Sequence, residues 1–310
     1  MGYNISGLQA YIEQQKYPLL RKAVATSKSA SLMTKQTGIK GQQSLNIFDD
    51  TITLQAESCG FNPIGTTTLT QRVITVGRIM VQKNWCDAQL NGLYIQTQLN
   101  PGSDNETVPF WEQLVGLFVD QIALVNETQI WQGNTSSGNT NPNTNQFNGL
   151  VNIIAAEGTV VLANTTEITS ITSSNVIAIV NSVYESIPAS IRQNPKTRIL
   201  MGMDTFVTYQ MALLAQNFYN FFKTGVGMDY EVVVPGTNIT VIALNGLTGT
   251  SSIYATNLDN LFLGLDLEGE EDQLDVWYSR DFQEIRAQAK YKMGVQIAFP
   301  PQVVAWVPYP

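Results

Sequence analysis

Residues 284–298 read EIRAQAKYKMGVQIA. Ile285, Ala287, Ala289, Tyr291, Met293, Val295 and Ile297 fall on one side of a period-two pattern. Glu284, Arg286, Gln288, Lys290, Lys292 and Gln296 fall on the other. Such alternation marks a strand with one face against a core. At about 3.3 Å per residue it spans roughly 45 Å, whereas ordinary strands run about five or six residues. The pattern predicts that the apolar face covers a long helix and that the charged face meets solvent or a cavity.

The partner helix is predicted over 109–132, PFWEQLVGLFVDQIALVNETQIWQ. Trp111, Leu114, Val115, Phe118, Ile122 and Val125 recur at steps of three and four, which is one stripe of a helix. Pro109 suits the first turn, Thr107 a cap and Gly133 a stop. Glu112, Asp120 and Glu127 are too widely spaced for a catalytic dyad and are read as the wet face. A loop without a charge follows, GNTSSGNTNPNTNQFNG at 133–149. Loops of this length are usually functional or disordered, and this one lacks the lysine of a phosphate cradle.

Before the helix, residues 47–83 are predicted to form a long hairpin. Its limbs are IFDDTITLQA and LTQRVITVGRIMVQK, around a tip rich in turn formers, ESCGFNPIGTTT. An isolated two-stranded ribbon is marginal in water, so it is expected to pack on a partner. Residues 1–45 are too thinly apolar to build a core and are expected to be disordered or to lie on something else. Lys16, Arg21, Lys22, Lys28, Lys35 and Lys40 give this arm its basic character against Glu13 alone. It is read as a solvated tail, or as an arm on a neighbouring subunit or a polyanion.

Residues 150–265 are read as a separate α/β region. It has a helix over 174–187 ended by Pro188, a buried strand TRILMGM, and a helix capped by Asp204. The strands EVVV, ITVIAL, SIYAT and NLFLGLD follow.

Composition narrows the chemistry. The 310 residues contain no histidine, 17 basic and 25 acidic side chains, and only 14% charged residues. Without histidine there is no Ser-His-Asp triad, no Cys-His pair and no imidazole ligand. Low surface charge offers little protection against association and suits a surface covered by copies of itself. A net charge of −8 argues against simple wrapping of nucleic acid. Six of the ten positions in 266–275 are acidic. Asp266, Glu268, Glu270 and Asp272 there are candidate cation ligands, although the spacing is not that of a calcium loop, and a solvated or interface turn is the simpler reading. Cys59 and Cys86 are read as free thiols rather than bridges, and the five tryptophans as core or interface anchors. No cofactor and no catalytic residue is expected. No signal-peptide core or membrane-length apolar run is present, so a soluble protein of a reducing cytosol is the default expectation.

The order of these parts resembles the major capsid proteins of tailed bacteriophages, the Hong Kong 97 fold, over essentially the whole chain. That resemblance implies an α+β protein with an N-arm at 1–45, an E-loop at 46–84 and a peripheral domain at 85–149 containing the spine helix. It further implies an axial domain at 150–272, the long peripheral strand at 273–298 and a tail at 299–310. The segment WQGNTSSGNTNPNTNQFNGLV resembles the family's passage from the spine helix, through a glycine-flanked loop, into the axial domain. The implied role is a virion protein that self-assembles in the host bacterial cytoplasm into an icosahedral head around double-stranded DNA, held without sequence-specific contacts. Implied partners are copies of itself in hexamers and pentamers, a portal and decoration proteins. The chain begins on the arm at Met1, from which a separate scaffolding protein is expected. The loop tip, 59–70, has no lysine, so no covalent crosslink is expected. Cohesion would come from apolar tip residues such as Phe61, Pro63 and Ile64. Two other readings are an encapsulin-like bacterial compartment shell with enzyme cargo, and a carboxylate-dependent enzyme or carbohydrate-binding protein.

Overall fold

The computed structural model describes residues 27–57, 59–60, 64–86, 108–163, 168–216, 230–266 and 273–309. In chain order the first half contains α1 (Lys28–Leu32), β1 (Thr34–Gln36), β2 (Gln42–Thr51), β3 (Thr66–Thr75), β4 (Gly77–Cys86), α2 (Val108–Gln132) and α3 (Leu150–Ala156). Then come β5 (Val161–Leu162), α4 (Val176–Ser186), α5 (Ala189–Arg192), β6 (Thr197–Gly202), α6 (Met203–Ala215), β7 (Glu231–Val233), β8 (Thr240–Leu244) and β9 (Ile253–Asn257). The chain closes with β10 (Leu261–Leu265), β11 (Gln273–Ser279), β12 (Glu284–Ile297) and β13 (Val304–Trp306).

The alternating stretch forms β12, 14 residues long. It organises a five-stranded sheet in the order β1-β10-β12-β11, with β4 paired along the opposite edge of β12 over residues 284–293. Its odd-numbered residues from Ile285 to Ile297 are all buried and share a core with Val115, Phe118, Val119 and Ile122 of α2. The helix therefore lies against the apolar face of the strand, for the reason the two periodicities give: each element has one water-avoiding side and they cover one another. The side chains of 108–114, including Trp111, Leu114 and Glu112, lie outside the described residues, as does Thr107.

The other face of β12, expected to meet solvent or a cavity, instead carries a packed layer over part of its length. Its even-numbered residues are half-buried, apart from Lys292, at 4% exposed, and Gly294, which are buried. Ile39, Leu45, Ile74 and Val76 form a small second core there with Phe262. Two facing glycines let that layer approach. Gly264 and Gly294 pair across β10 and β12, and a Cβ on Gly294 would stand 2.1 Å from the Thr75 carbonyl oxygen. Glycine inside a strand signals such an approach. Lys292 is held in this layer by Asp266, Nζ to Oδ2 3.1 Å.

The predicted hairpin forms, but its return limb divides. Residues 42–51 pair with 66–75 in a two-stranded ladder. At Val76, whose N–H donates to the Gly41 carbonyl (3.0 Å), the chain leaves the ribbon. β4 then pairs with β12 from Cys86 opposite Glu284 to Gly77 opposite Met293. Alternation is the same in both sheets, so the change of partner leaves no break in the pattern. Arg72 ties the ribbon base to the body through an ion pair with Glu157 and a bond to Gln296.

The described part of the arm, 27–45, lies on its own chain. Ser27 caps α1, and β1 runs parallel to β10. The anchor is Glu127, which is 4% exposed and so not on the wet face. Its carboxylate accepts from Ser29 N–H (3.0 Å) and Ser29 Oγ (2.5 Å), and Trp131 Nε1 donates to that same Oγ (2.6 Å). Sequence spacing alone gives no sign of this, because the partner is 98 residues away. Ser29→Ala would leave a buried carboxylate and an indole N–H short of partners. A loss of about 2 kcal/mol is expected, to be measured by urea unfolding.

The glycine-flanked loop is stitched by its own side chains. Asn134, Asn139 and Asn141 each accept a backbone N–H two residues on, and Asn148 accepts from Thr135 N and Oγ1. Local bonds of this kind explain the Asn, Ser and Thr content. Gly133 and Gly149 close the loop with a 2.8 Å bond from Gly149 N–H to the Gly133 carbonyl.

The α/β region is a six-stranded sheet, β5-β13-β9-β6-β8-β7, with α4 and α6 in its core. Gly202, not Asp204, stands at the cap of α6, and Asp204 Oδ2 instead accepts from Gly249 N–H (3.1 Å). Trp131 stacks on Tyr254 at 6.0 Å between ring centroids and links the helix to this sheet.

Three phenols are sealed inside. Burial pushes Tyr254 up to about 12 against the opposing Ser252 hydrogen bond, and raises Tyr209 and Tyr291 as well. Above pH about 10 an unfolded chain loses these protons while the folded chain keeps them. Stability from this source is therefore complete below pH 10 and falls as pH climbs toward 12. Urea midpoints measured from pH 8 to 12 should be flat and then drop, and Tyr209→Phe should flatten the drop.

Candidate assembly surface

The ribbon buries Leu45, Ile47 and Ile74 but carries its other apolar side chains into water. Phe48, Leu69 and Val73 on its strands are exposed, as is Ile64 near the tip, and Ile52 and Leu54 just beyond β2 are 80% and 94% exposed. Ten paired positions at about 3.3 Å each make a ladder roughly 33 Å long, packed on the body at its base and projecting beyond it. Single exposed apolar residues are ordinary, but a continuous series on one projection is an interaction surface. Residues 52–57 read ITLQAE, with Ile52, Leu54 and Ala56 alternating with Thr53, Gln55 and Glu57. They lie outside the ladder and all are exposed.

A second feature is a cleft of about 540 Å³ between β4, α2 and the loop at 142–146. Ile79, Val81, Trp85, Phe118 and Ile122 give it apolar walls. Trp85 meets Phe118 edge-on, with centroids 6.0 Å apart at 80°. On its floor Tyr291 OH donates to Asn126 Oδ1 (2.6 Å), and Gln129 Nε2 donates to the Phe147 carbonyl (2.9 Å). Those two bonds fix both amides and leave Asn126 Nδ2 and Gln129 Oε1 buried without hydrogen-bond partners among the described residues. Lys83 is the one charged side chain among the described lining residues. Sequence reasoning passed over Asn126 and Gln129. Polar residues on the apolar side of a helix were the available signal.

The sequence-predicted residues are placed unevenly. Ile64 is exposed near the ribbon tip, while Phe61 and Pro63 lie outside the described residues. Lys28 is half-buried at the start of α1, beside a smaller cleft shared with Asp120 and Leu124. Lys16, Arg21 and Lys22 lie outside the described residues, as do Glu268, Glu270 and Asp272. Asp266 is 1% exposed and faces Lys292. Its carboxylate is thus matched by an ammonium, an arrangement unlike that of a solvated cation ligand. Among the described residues no group of three or more His, Cys, Asp or Glu could hold a metal ion. Cys59 is exposed and Cys86 half-buried, and both are free. No helix among the described residues is long and apolar enough to cross a membrane.

No protein-family model matches the chain, and no curated protein matches it. Solved structures do. A chain of the satellite phage P4 procapsid including the size-determination protein aligns with a TM-score of 0.61 at 9% identity, over 95% of this chain and 98% of that one. A chain of Gordonia phage Cozz aligns with a TM-score of 0.59 at 10% identity, over 91% and 86%. A capsid chain of an empty GTA particle aligns with a TM-score of 0.57 at 9% identity, over 92% and 89%. Likeness at this identity is a likeness of fold. The chain has the α+β Hong Kong 97-type fold seen in the major capsid proteins of tailed phages.

Proposed function

We propose that this chain is a major capsid protein that self-assembles into the icosahedral head of a tailed bacteriophage. The observation that carries the reading is the exposed apolar ribbon on a Hong Kong 97-type body, since Ile52 and Leu54 lie almost wholly in water. Burying one such side chain stabilises by about 1.5–3 kcal/mol, and repeated across a shell this favours assembly. The role is structural rather than catalytic. The body divides, in this reading, into an N-arm (1–45), an E-loop (46–84), a peripheral domain (85–149 with 273–298), an axial domain (150–272) and a tail (299–310). Phe61, Pro63 and Ile64 at the ribbon tip contact a neighbour, while Lys16, Arg21, Lys22 and Lys28 give the arm its basic face.

In the same reading the subunits form hexamers and pentamers in the host bacterial cytoplasm and enclose double-stranded DNA. A scaffolding protein during assembly, a portal and decoration proteins are the chain's further partners. Net negative charge keeps the wall from gripping the DNA, so it can be packed and released. Electron microscopy of the purified protein tests the reading. Closed shells of uniform size are expected, filled with DNA when made during infection. Shells filled with enzyme would point to a compartment shell instead, and the absence of any shell would remove both.

A further inference from the structure

The described residues begin at Ser27, at the mouth of the smaller cleft. Ser27 and Lys28 line this hollow of about 260 Å³ with Asp120 and Leu124 of α2, Met203 at the start of α6, and Tyr230. From Met203 an apolar stripe runs along the outer side of α6, through Val207, Met211 and Leu214, at steps of four, four and three. Those last three side chains are exposed, as are Leu124 and Tyr230. At 1.5 Å per residue the stripe is about 17 Å long. A helix that is apolar on its solvent side as well as its buried side calls for a cover, and methionine adapts to an irregular one. Asp120 and Asp204, both exposed, set carboxylates beside the stripe.

The sequence just ahead of Ser27 carries the matching chemistry. Pro18 suits a first helical turn. After it Leu19, Leu20, Ala23 and Val24 recur at helical spacing, with Arg21 and Lys22 between them. Val24 stands three residues before Ser27, so at most about 11 Å of chain separates it from the cleft. We propose that residues 19–24 dock on the outer face of α6 in their own chain. Leu19 and Leu20 then cover Val207 and Met211, and Arg21 and Lys22 lie beside Asp120 and Asp204. The occupant is the same chain because α1 is already fixed to α2 through Ser29, Glu127 and Trp131. So short a tether holds the segment at an effective concentration in the millimolar range, above that of any second copy in dilute solution. This docking is a property of the single subunit and holds whether or not the protein builds a shell. It hides an apolar helix face that would otherwise draw copies together away from their proper contacts.

The test uses the unaltered full chain, kept dilute as single subunits and treated briefly with hydrogen peroxide. Each thioether that reacts gains one oxygen and the peroxide leaves as water, and peptide mass spectrometry reads the sulfoxides. Met80 and Met211 are 58% and 62% exposed, so without a cover they should oxidise at similar rates. The proposal expects Met211 to oxidise about fivefold or more slowly than Met80, since susceptibility follows exposure. Leu19→Ser with Leu20→Ser should bring the two rates together. Equal rates in the unaltered chain would overturn the docking, and so would a Met211 that stays slow in that variant. A second measurement places the segment directly. Leu20→Cys and Met211→Cys are introduced together into the full chain carrying Cys59→Ser and Cys86→Ser, and dilute subunits are oxidised. A bond within one chain is expected, seen as a single chain without free thiols. Linked dimers would put the segment on a second copy, and free thiols would leave α6 uncovered; either result overturns the proposal. Whether the unaltered chain forms shells bears on the shell reading alone.

Discussion

Lys292→Met should cost about 3–5 kcal/mol of folding stability, the usual consequence of removing one partner from a buried ion pair. The Lys292 ammonium and the Asp266 carboxylate are 3.1 Å apart, with side-chain exposures of 5% and 2%. They lie on the side of β12 that alternation assigns to water, under the layer of Ile39, Ile74 and Val76. Removing the ammonium leaves a buried carboxylate with one oxygen already without a hydrogen bond among the described residues. Adding Asp266→Leu to the same chain should return most of the loss, because an apolar pair of similar volume suits that layer. Urea unfolding at neutral pH measures both. A single-variant loss below about 1 kcal/mol would mean that the pair is solvated.

Gly149→Ala should cost about 3 kcal/mol or more, toward the upper end of overpacking effects. A Cβ there would stand 2.5 Å from both Gly133 N and the Trp131 carbonyl oxygen. These are backbone atoms at the end of α2, so no flexible side chain can move aside. Gly133 meets the same limit, with a Cβ 2.4 Å from the Phe147 carbonyl oxygen. Gly138 in the same loop has open space around it, so Gly138→Ala is the control and should change stability by less than about 0.5 kcal/mol. Equal unfolding midpoints for the two variants would contradict the close contact between the loop's ends.

Much of the architecture is legible from periodicity. The long strand and the long helix announce themselves because each keeps one face dry for many residues, and the two glycines mark the loop between them. What periodicity cannot show is a second layer on a face that looks wet. Lys292 reads as solvent-facing until Asp266 and the Gly41–Val76 crossover are brought over it. Glu127 reads the same way until Ser29 arrives from 98 positions upstream. In both cases a charge is buried because a distant partner neutralises or hydrogen-bonds it, and spacing along the chain carries no trace of that. The split of the hairpin at Val76 is hidden for another reason, since passing from one antiparallel ladder to another keeps the period. The exposed ribbon was legible as an apolar projection needing cover. The cleft was not, because its walls come from β4, α2 and the loop after it.

The division at Val76 also shapes the decisive experiment. β4 belongs to the sheet, so a shortened chain should keep residues 72–86 and replace only 46–71 with a tight turn. Light scattering then compares the molar mass of the shortened and full-length proteins under conditions that favour assembly. The account predicts that the full-length chain forms particles of many subunits, while the shortened one stays a folded single chain with unchanged circular dichroism. A full-length protein that remains alone at 34.2 kDa, or a shortened protein that assembles equally well, would contradict it.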